Sequence, residues 1–298
     1  MKLTVQKKAI FALCVVALVF ALLNVSVRFS NAGFGPFTQV YLRIGLGLLL
    51  TFIFFFKEIR FKNIKKISGK DWIILILMGT LGYGIAVDFV TLGVLHTTLL
   101  NAAVIGSTTP FFVFLFNIFA LRKKFNSVLL FFLLLTFYGV CVLSTNSLVP
   151  RLANFSVGDF YILLFAIGSG FYILGRKFLS DHLNNSEIAI LVMSIAFISS
   201  LTIAAIVGEP VSFVSFINPV ALLGICMGGV LNLLATKLQN FGFIHLNAVA
   251  GSQLLLLQNI FAPIFGLLLF SETIIPLEFF GAFVVLAGVW LYIQLAKE

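Results

Sequence analysis

Ten times along this chain, nearly uncharged apolar residues run on for about the 20 positions an α-helix needs to cross a ~30 Å hydrocarbon layer. The runs lie at roughly 9–28, 36–56, 71–92, 97–120, 126–146, 157–177, 187–208, 219–239, 246–270 and 276–296. Lipid offers the backbone no hydrogen bonds, so only helices and closed barrels can span it. A barrel would show ~10-residue alternation in place of continuous runs. The runs therefore predict an all-α membrane protein of about ten transmembrane helices. Only 10% of the residues are charged, against roughly a quarter in a soluble domain that must coat its surface. Lys2, Lys7 and Lys8 before Ala9–Val27 have the look of a signal peptide. That stretch is too long for one and further spans follow, so it is read as a retained first helix.

The net charge of +9 would suggest a nucleic-acid partner in a soluble protein. Here the basic residues sit in alternate connections, the pattern that marks the cytoplasmic side. One set comprises Lys2, Lys7, Lys8, Lys57, Arg60, Lys62, Lys65, Lys66, Lys70, Arg122, Lys123, Lys124, Arg176, Lys177, Lys237 and Lys297. The other side keeps Arg28 and Arg151. The bias predicts a multi-pass protein of the cell (inner) membrane with both termini cytoplasmic. The excess charge is a topology signal, so the expected partners are the bilayer and a small-molecule substrate, with no nucleic acid. Cys14, Cys141 and Cys226 lie inside apolar runs and imply no disulfide framework.

Sliding the 298-residue chain on itself by half its length, 149 residues, brings like residues together locally. Met78-Gly79, Ala86, Gly93 and His96 fall on Met227-Gly228, Ala235, Gly242 and His245, and Gly139-Val140 falls on Gly288-Val289. Each half would hold five helices, an odd number, so equivalent connections must face opposite sides. The charges agree. The basic stretch from Lys57 to Lys70 corresponds to 206–219, which has no Lys or Arg, and Arg122-Lys123-Lys124 corresponds to Ser271-Glu272-Thr273. The expected organisation is a first five-helix repeat over 1–149 and a second, inverted one over 150–298, forming one membrane domain. Inverted repeats are the usual architecture of secondary transporters.

Several stretches carry a family resemblance. The first runs from Thr97-Thr98-Leu99-Leu100-Asn101-Ala102 through Pro110 and Lys123 to Gly139. The second runs from Ala248 to Ser252 and takes in Gln258-Asn259, Phe261-Ala262, Ser271-Glu272, Gly281 and Gly288. With Arg43 seven residues after Pro36, the chain resembles the EamA-type members of the drug/metabolite transporter superfamily over essentially its whole length. Lys123 departs from the pattern, standing where an acidic residue is usual. Gln258-Asn259 likewise replaces the usual Glu-Pro. The resemblance implies a ten-helix bundle around a central cavity lined mainly by helices 1, 3, 4, 6, 8 and 9.

An unpaired polar group near the bilayer midplane is costly, so polar residues at that depth mark candidate sites. Ten to 14 residues into the runs stand Tyr83, Thr108, Thr109, Ser169, Tyr172, Asn232, Gln258 and Asn259, with Asn24 slightly nearer the outer face. These are the candidate substrate-binding residues. Each has a plainer alternative: Thr108 and Thr109 as hydrogen-bond donors to their own helix beside Pro110, the amides as interhelical ties, the tyrosines as packing. Arg43 and Asp88, at similar depth in helices 2 and 3, are candidates for gating or ion coupling, or for a structural ion pair. Asp88 is expected to be the only carboxylate within a span. His96 and His245 are expected at helix starts near the surfaces, and Lys237 as a snorkelling anchor.

No Walker-type loop, His-Glu-x-x-His or metal-ligand spacing occurs, so neither a cofactor nor catalysis is expected. The leading expectation is a secondary, non-ATP transporter of a small polar metabolite of amino-acid, amine or nucleoside type. It would work as exporter, importer or exchanger by alternating access. A non-transporting membrane sensor or partner protein, which would have its interior sealed by large side chains, and an intramembrane lipid-modifying enzyme remain as alternatives.

Overall fold

The structure is a computed structural model and describes residues 2–150, 155–211, 213–270 and 275–296. Among these, ten helices are long and apolar enough to cross a membrane: Val5–Ser30, Pro36–Glu58, Gly69–His96, Leu100–Leu121, Ser127–Thr145, Val157–Phe178, Asn185–Val207, Pro219–His245, Ala248–Leu269 and Pro276–Leu295. They are called spans 1 to 10. Arg151, Lys297 and the Ser271-Glu272-Thr273 turn, which entered the charge argument, lie outside the described residues.

Local chemistry sets the span starts. Pro36, Pro219 and Pro276 occupy first-turn positions, where their missing N–H costs nothing. Ser68, Thr98, Asn126, Ser156, Asn184, Asn218 and Asn247 cap first-turn N–H groups with their side chains. Thr98 and Asn247 explain one departure from expectation. Because spans 4 and 9 are capped there, spans 3 and 8 run on to His96 and His245. The two histidines thus close helices and do not open them.

The two halves are related by inversion, and the connections show it. On one face, Arg60 and Asn63 after span 2 both donate to the His182 carbonyl between spans 6 and 7, each at 2.9 Å. Lys177 reaches the Ile244 carbonyl at the end of span 8. On the other face, Asn218 before span 8 donates to the Ala32 carbonyl before span 2. There too Thr97 before span 4 donates to Asp159 at the start of span 6. The connection after span 2 and its counterpart after span 7 therefore lie on opposite faces, and the first of these is the basic one.

Spans 2 and 7, themselves counterparts, are fastened at both ends. Glu187 accepts from the Arg60 backbone N–H at 2.9 Å and its Nε at 3.1 Å. At the other end Glu209 accepts from the Thr38 N–H and hydroxyl, at 2.5 and 2.7 Å. A side chain at Gly35 would meet the Glu209 carboxylate, so glycine lets that carboxylate lie close against the start of span 2. Spans 5 and 10 make the same kind of reciprocal contact. A Cβ on Gly139 would fall 2.8 Å from the Val285 nitrogen, and one on Gly288 would meet Thr136. Gly224 and Gly228 of span 8 admit Ser26 and Ser30 of span 1 and the stem of Arg43. Outward faces keep large apolar side chains exposed, such as Phe131, Phe283 and Trp290, as lipid contact requires.

Spans 3, 4 and 9 are irregular. Span 3 contains a π-helical turn, Thr80–Gly84, in which the Ile85 N–H reaches back to the Thr80 carbonyl. Span 4 breaks between Leu99–Gly106 and Thr109–Leu121, and span 9 between Ala248–Leu255 and Gln258–Phe270. The breaks fall at corresponding positions of the two halves. Broken backbone at membrane depth is tolerated where it lines a cavity, and π turns concentrate at functional sites.

Candidate functional site

All three irregular segments border one cavity of about 500 Å³, within the range of small-molecule sites. Its floor is a hydrogen-bonded group at the middle of the bundle. Tyr83, carried by the π turn, donates from its hydroxyl to Asn232 Oδ1 at 2.9 Å, and Thr236 donates back to the Tyr83 oxygen at 3.3 Å. The Tyr172 ring lies 5.8 Å from that of Tyr83, with its hydroxyl donating to Asn240 Oδ1 at 3.2 Å. Gly82 permits this, because its missing side chain leaves room for the Tyr172 backbone. Tyr83, Tyr172 and Asn232 are all buried yet form part of the wall.

The side wall joins the two breaks. Asn259 donates from Nδ2 to the Ser107 hydroxyl at 3.2 Å and to the Leu256 carbonyl at 3.0 Å, tying the break in span 9 to that in span 4. In span 4 Pro110 has no N–H for the Gly106 carbonyl, and the Thr109 hydroxyl supplies one at 2.9 Å. Thr108 likewise donates to its own Ile105 carbonyl at 2.6 Å. Thr109 still lines the cavity, whereas Thr108 does not, so the plainer reading describes Thr108.

Of the other expected residues, Asn24, Arg43, Ser169 and Gln258 line the cavity. Asp88 does not: it turns toward span 7 and accepts from the Ser200 hydroxyl at 3.0 Å. Arg43 and Asp88 form no ion pair. The Arg43 Nε instead donates to the Gln39 carbonyl at 3.1 Å and Nη1 to the Ser26 hydroxyl at 3.4 Å. The pairs seen among the described residues are Arg60–Glu187 and Lys237–Glu58, both at 3.1 Å.

Sequence reasoning missed Gln239, Ser252, Thr91 and Glu278, which also line the cavity. Gln239 was findable, since it follows Asn232 by seven residues and so shares its helix face. Glu278 sits at the start of span 10, outside any window centred on the midplane; with Glu58, Asp71, Asp159 and Glu187, also within spans, it corrects the expectation that Asp88 is the only carboxylate there.

The cavity extends from this floor toward the ends of the spans that carry Arg28, Ser144 and Glu278. Toward the basic face the cavity reaches Gln239 and Ser252, and beside it spans 2, 7 and 8 are tied together. There Lys237 of span 8 pairs with Glu58 and lies 3.0 Å from the centre of the Phe55 ring at the end of span 2. Ser186 donates to the same Glu58 carboxylate, bringing in the start of span 7. Lys237 is therefore a tie between spans, beyond the anchor expected of it.

Two inverted five-helix repeats around a largely apolar cavity with a polar floor define a multi-pass membrane protein built as transporters are built. The chain belongs to the EamA-like transporter family, whose profile matches it twice, over residues 7–145 and 156–294. The two matches are offset by the 149 residues that separate Tyr83 from Asn232. A solved structure described as "Crystal structure of protein" shares the fold, with a TM-score of 0.73 over 96% of this chain and 98% of that one at 14% identity. No curated protein matches the sequence.

Proposed function

We propose that this family member is a secondary transporter of the cell membrane. It carries a small polar solute of amino-acid, amine or nucleoside type by alternating access, and both its termini are cytoplasmic. The observation that carries the reading is the cavity itself. It is polar at its floor and extends toward the face opposite the basic one, and the walls come from both inverted halves. If the basic face is cytoplasmic, as its lysines and arginines argue, the reach of the cavity to Arg28, Ser144 and Glu278 and the ties among spans 2, 7 and 8 favour an outward-facing arrangement. Exchanging the conformations of the two repeats would produce the inward-open one. A sensor sealed by large side chains fits poorly with a 500 Å³ space around Asn232 and Asn259.

The test is counterflow in proteoliposomes across amino acids, nucleosides and amines, comparing the intact protein with the Asn232→Leu/Asn259→Leu double variant. Saturable exchange of one class, lost in a variant that elutes as folded protein, is the expected result. Absence of any exchange by folded intact protein would sink the proposal.

A further inference from the structure

The cavity wall holds a cation that the protein leaves partly unanswered. Arg43 is 3% exposed, and while its Nε and Nη1 have the partners described above, its Nη2 has none. Its stem lies in the space left by Gly228, which fixes the guanidinium between spans 1, 2 and 8. Asp88 is within its electrostatic reach but is held by Ser200 and stays outside ion-pair distance. A buried guanidinium without a carboxylate is costly, and the cost is relieved when a bound anion completes its hydrogen bonds.

A second feature points the same way. The half-helices Thr109–Leu121 and Gln258–Phe270 both begin in the cavity wall, so each turns the positive end of its dipole toward the space. The remaining charged residues of the wall, Arg28 and Glu278, have opposite signs. Arg43 adds a positive charge to the wall, and Asp88, outside the wall but within its reach, offsets it only in part.

We propose that the solute carries one carboxylate and that Arg43 is its counter-ion in the cavity. This rests on the transporter reading and narrows it to a substrate class. A phosphate ester, with about −1.5 to −2 charges at neutral pH, would leave part of its charge unmatched beside one unpaired nitrogen. Arginine suits the task better than lysine because its planar fork can free Nη2 for a carboxylate while the other nitrogens remain tied.

The test uses matched probes in proteoliposome counterflow: amino acids and short monocarboxylates against their own carboxamides, with nucleosides and simple amines as carboxyl-free solutes. The intact protein is expected to exchange at least one acid about tenfold or more better than its amide. Arg43→Gln should erase that preference and Arg43→Lys should keep part of it. Equal exchange of acid and amide, or exchange of carboxyl-free solutes alone, overturns the assignment while leaving a working transporter. That comparison needs no variant, so it stands even if Arg43→Gln fails to fold. No exchange of any probe by monodisperse intact protein removes the transporter reading, and the assignment of Arg43 falls with it.

Discussion

The Tyr83 hydroxyl and the Asn232 side chain, hydrogen-bonded at 2.9 Å, stand 149 residues apart at corresponding positions of the two repeats. A contact between counterparts lies on the pseudo-twofold axis that relates the halves. It is therefore one of the few contacts that would keep its partner if the repeats trade conformations as proposed. Both residues are nearly enclosed, and both border the cavity. In the proposed transport cycle, this bond is where solute and conformational change would meet.

Tyr83→Phe removes the hydroxyl and strands Asn232 and Thr236 without their shared partner. A lost hydrogen bond of this kind costs about 1 kcal/mol. Folded yield should be little changed, while counterflow should slow by roughly fivefold to tenfold. Paired with Asn232→Leu, the two effects should fall short of additivity, because both changes remove one interaction. Additive losses would show that the residues act separately.

Asp88→Asn replaces a buried carboxylate that has one oxygen without a donor. Neutralising it relieves a desolvation cost, so the melting temperature should hold or rise. Transport should drop about tenfold if the charge is used in turnover, which flux per folded molecule measures directly. Equal loss of folded protein and flux would make Asp88 a structural residue.

Glu58→Gln weakens the tie between the ends of spans 2 and 8 by removing the charge opposite Lys237. Both side chains are partly exposed, 27% for Lys237 and 50% for Glu58, so the pair is worth about 1 kcal/mol or less. A cysteine placed at Gln239 should react two- to fivefold faster with an impermeant maleimide from the basic face in the variant, against a cysteine-free background. An unchanged rate would show that Lys237–Glu58 does not restrict access from that face.

Gly139→Val and Gly288→Val should damage the fold to a similar degree, since each puts a side chain into the same reciprocal contact between spans 5 and 10. Overpacking of this sort typically costs about 1–3 kcal/mol. Thermal melting in detergent should show both variants destabilised. A tolerant Gly139→Val beside an intolerant Gly288→Val would mean the contact is not shared evenly.

The ten spans and their inversion were legible because length, hydropathy and charge are linear properties that lipid enforces on every stretch alike. Packing and direction were not. Asp88 and Arg43 share a depth, which suggested a pair, but depth carries no azimuth, and Asp88 turns to Ser200 instead. The break in span 4 was signalled by Pro110, whereas its counterpart in span 9 comes at Gln258-Asn259, where no proline stands. Its position follows only from the repeat. Gln239 and Glu278 were missed because a midplane window discards residues that a deep, one-sided cavity reaches.

The fastenings at the two ends of spans 2 and 7 come from the same two positions of the repeat with their roles exchanged. Arg60 corresponds to Glu209, and Glu187 to Thr38. The basic end is fastened through an arginine whose side chain is 55% exposed, while the other end uses a helix N–H and a hydroxyl. Mobile ions screen the first kind of bond far more than the second. Ionic strength on the basic side thus weakens the side-chain part of one fastening, leaving its backbone bond to Glu187 and the whole of the other, so in the proposed cycle dissolved salt would bias which way the protein opens.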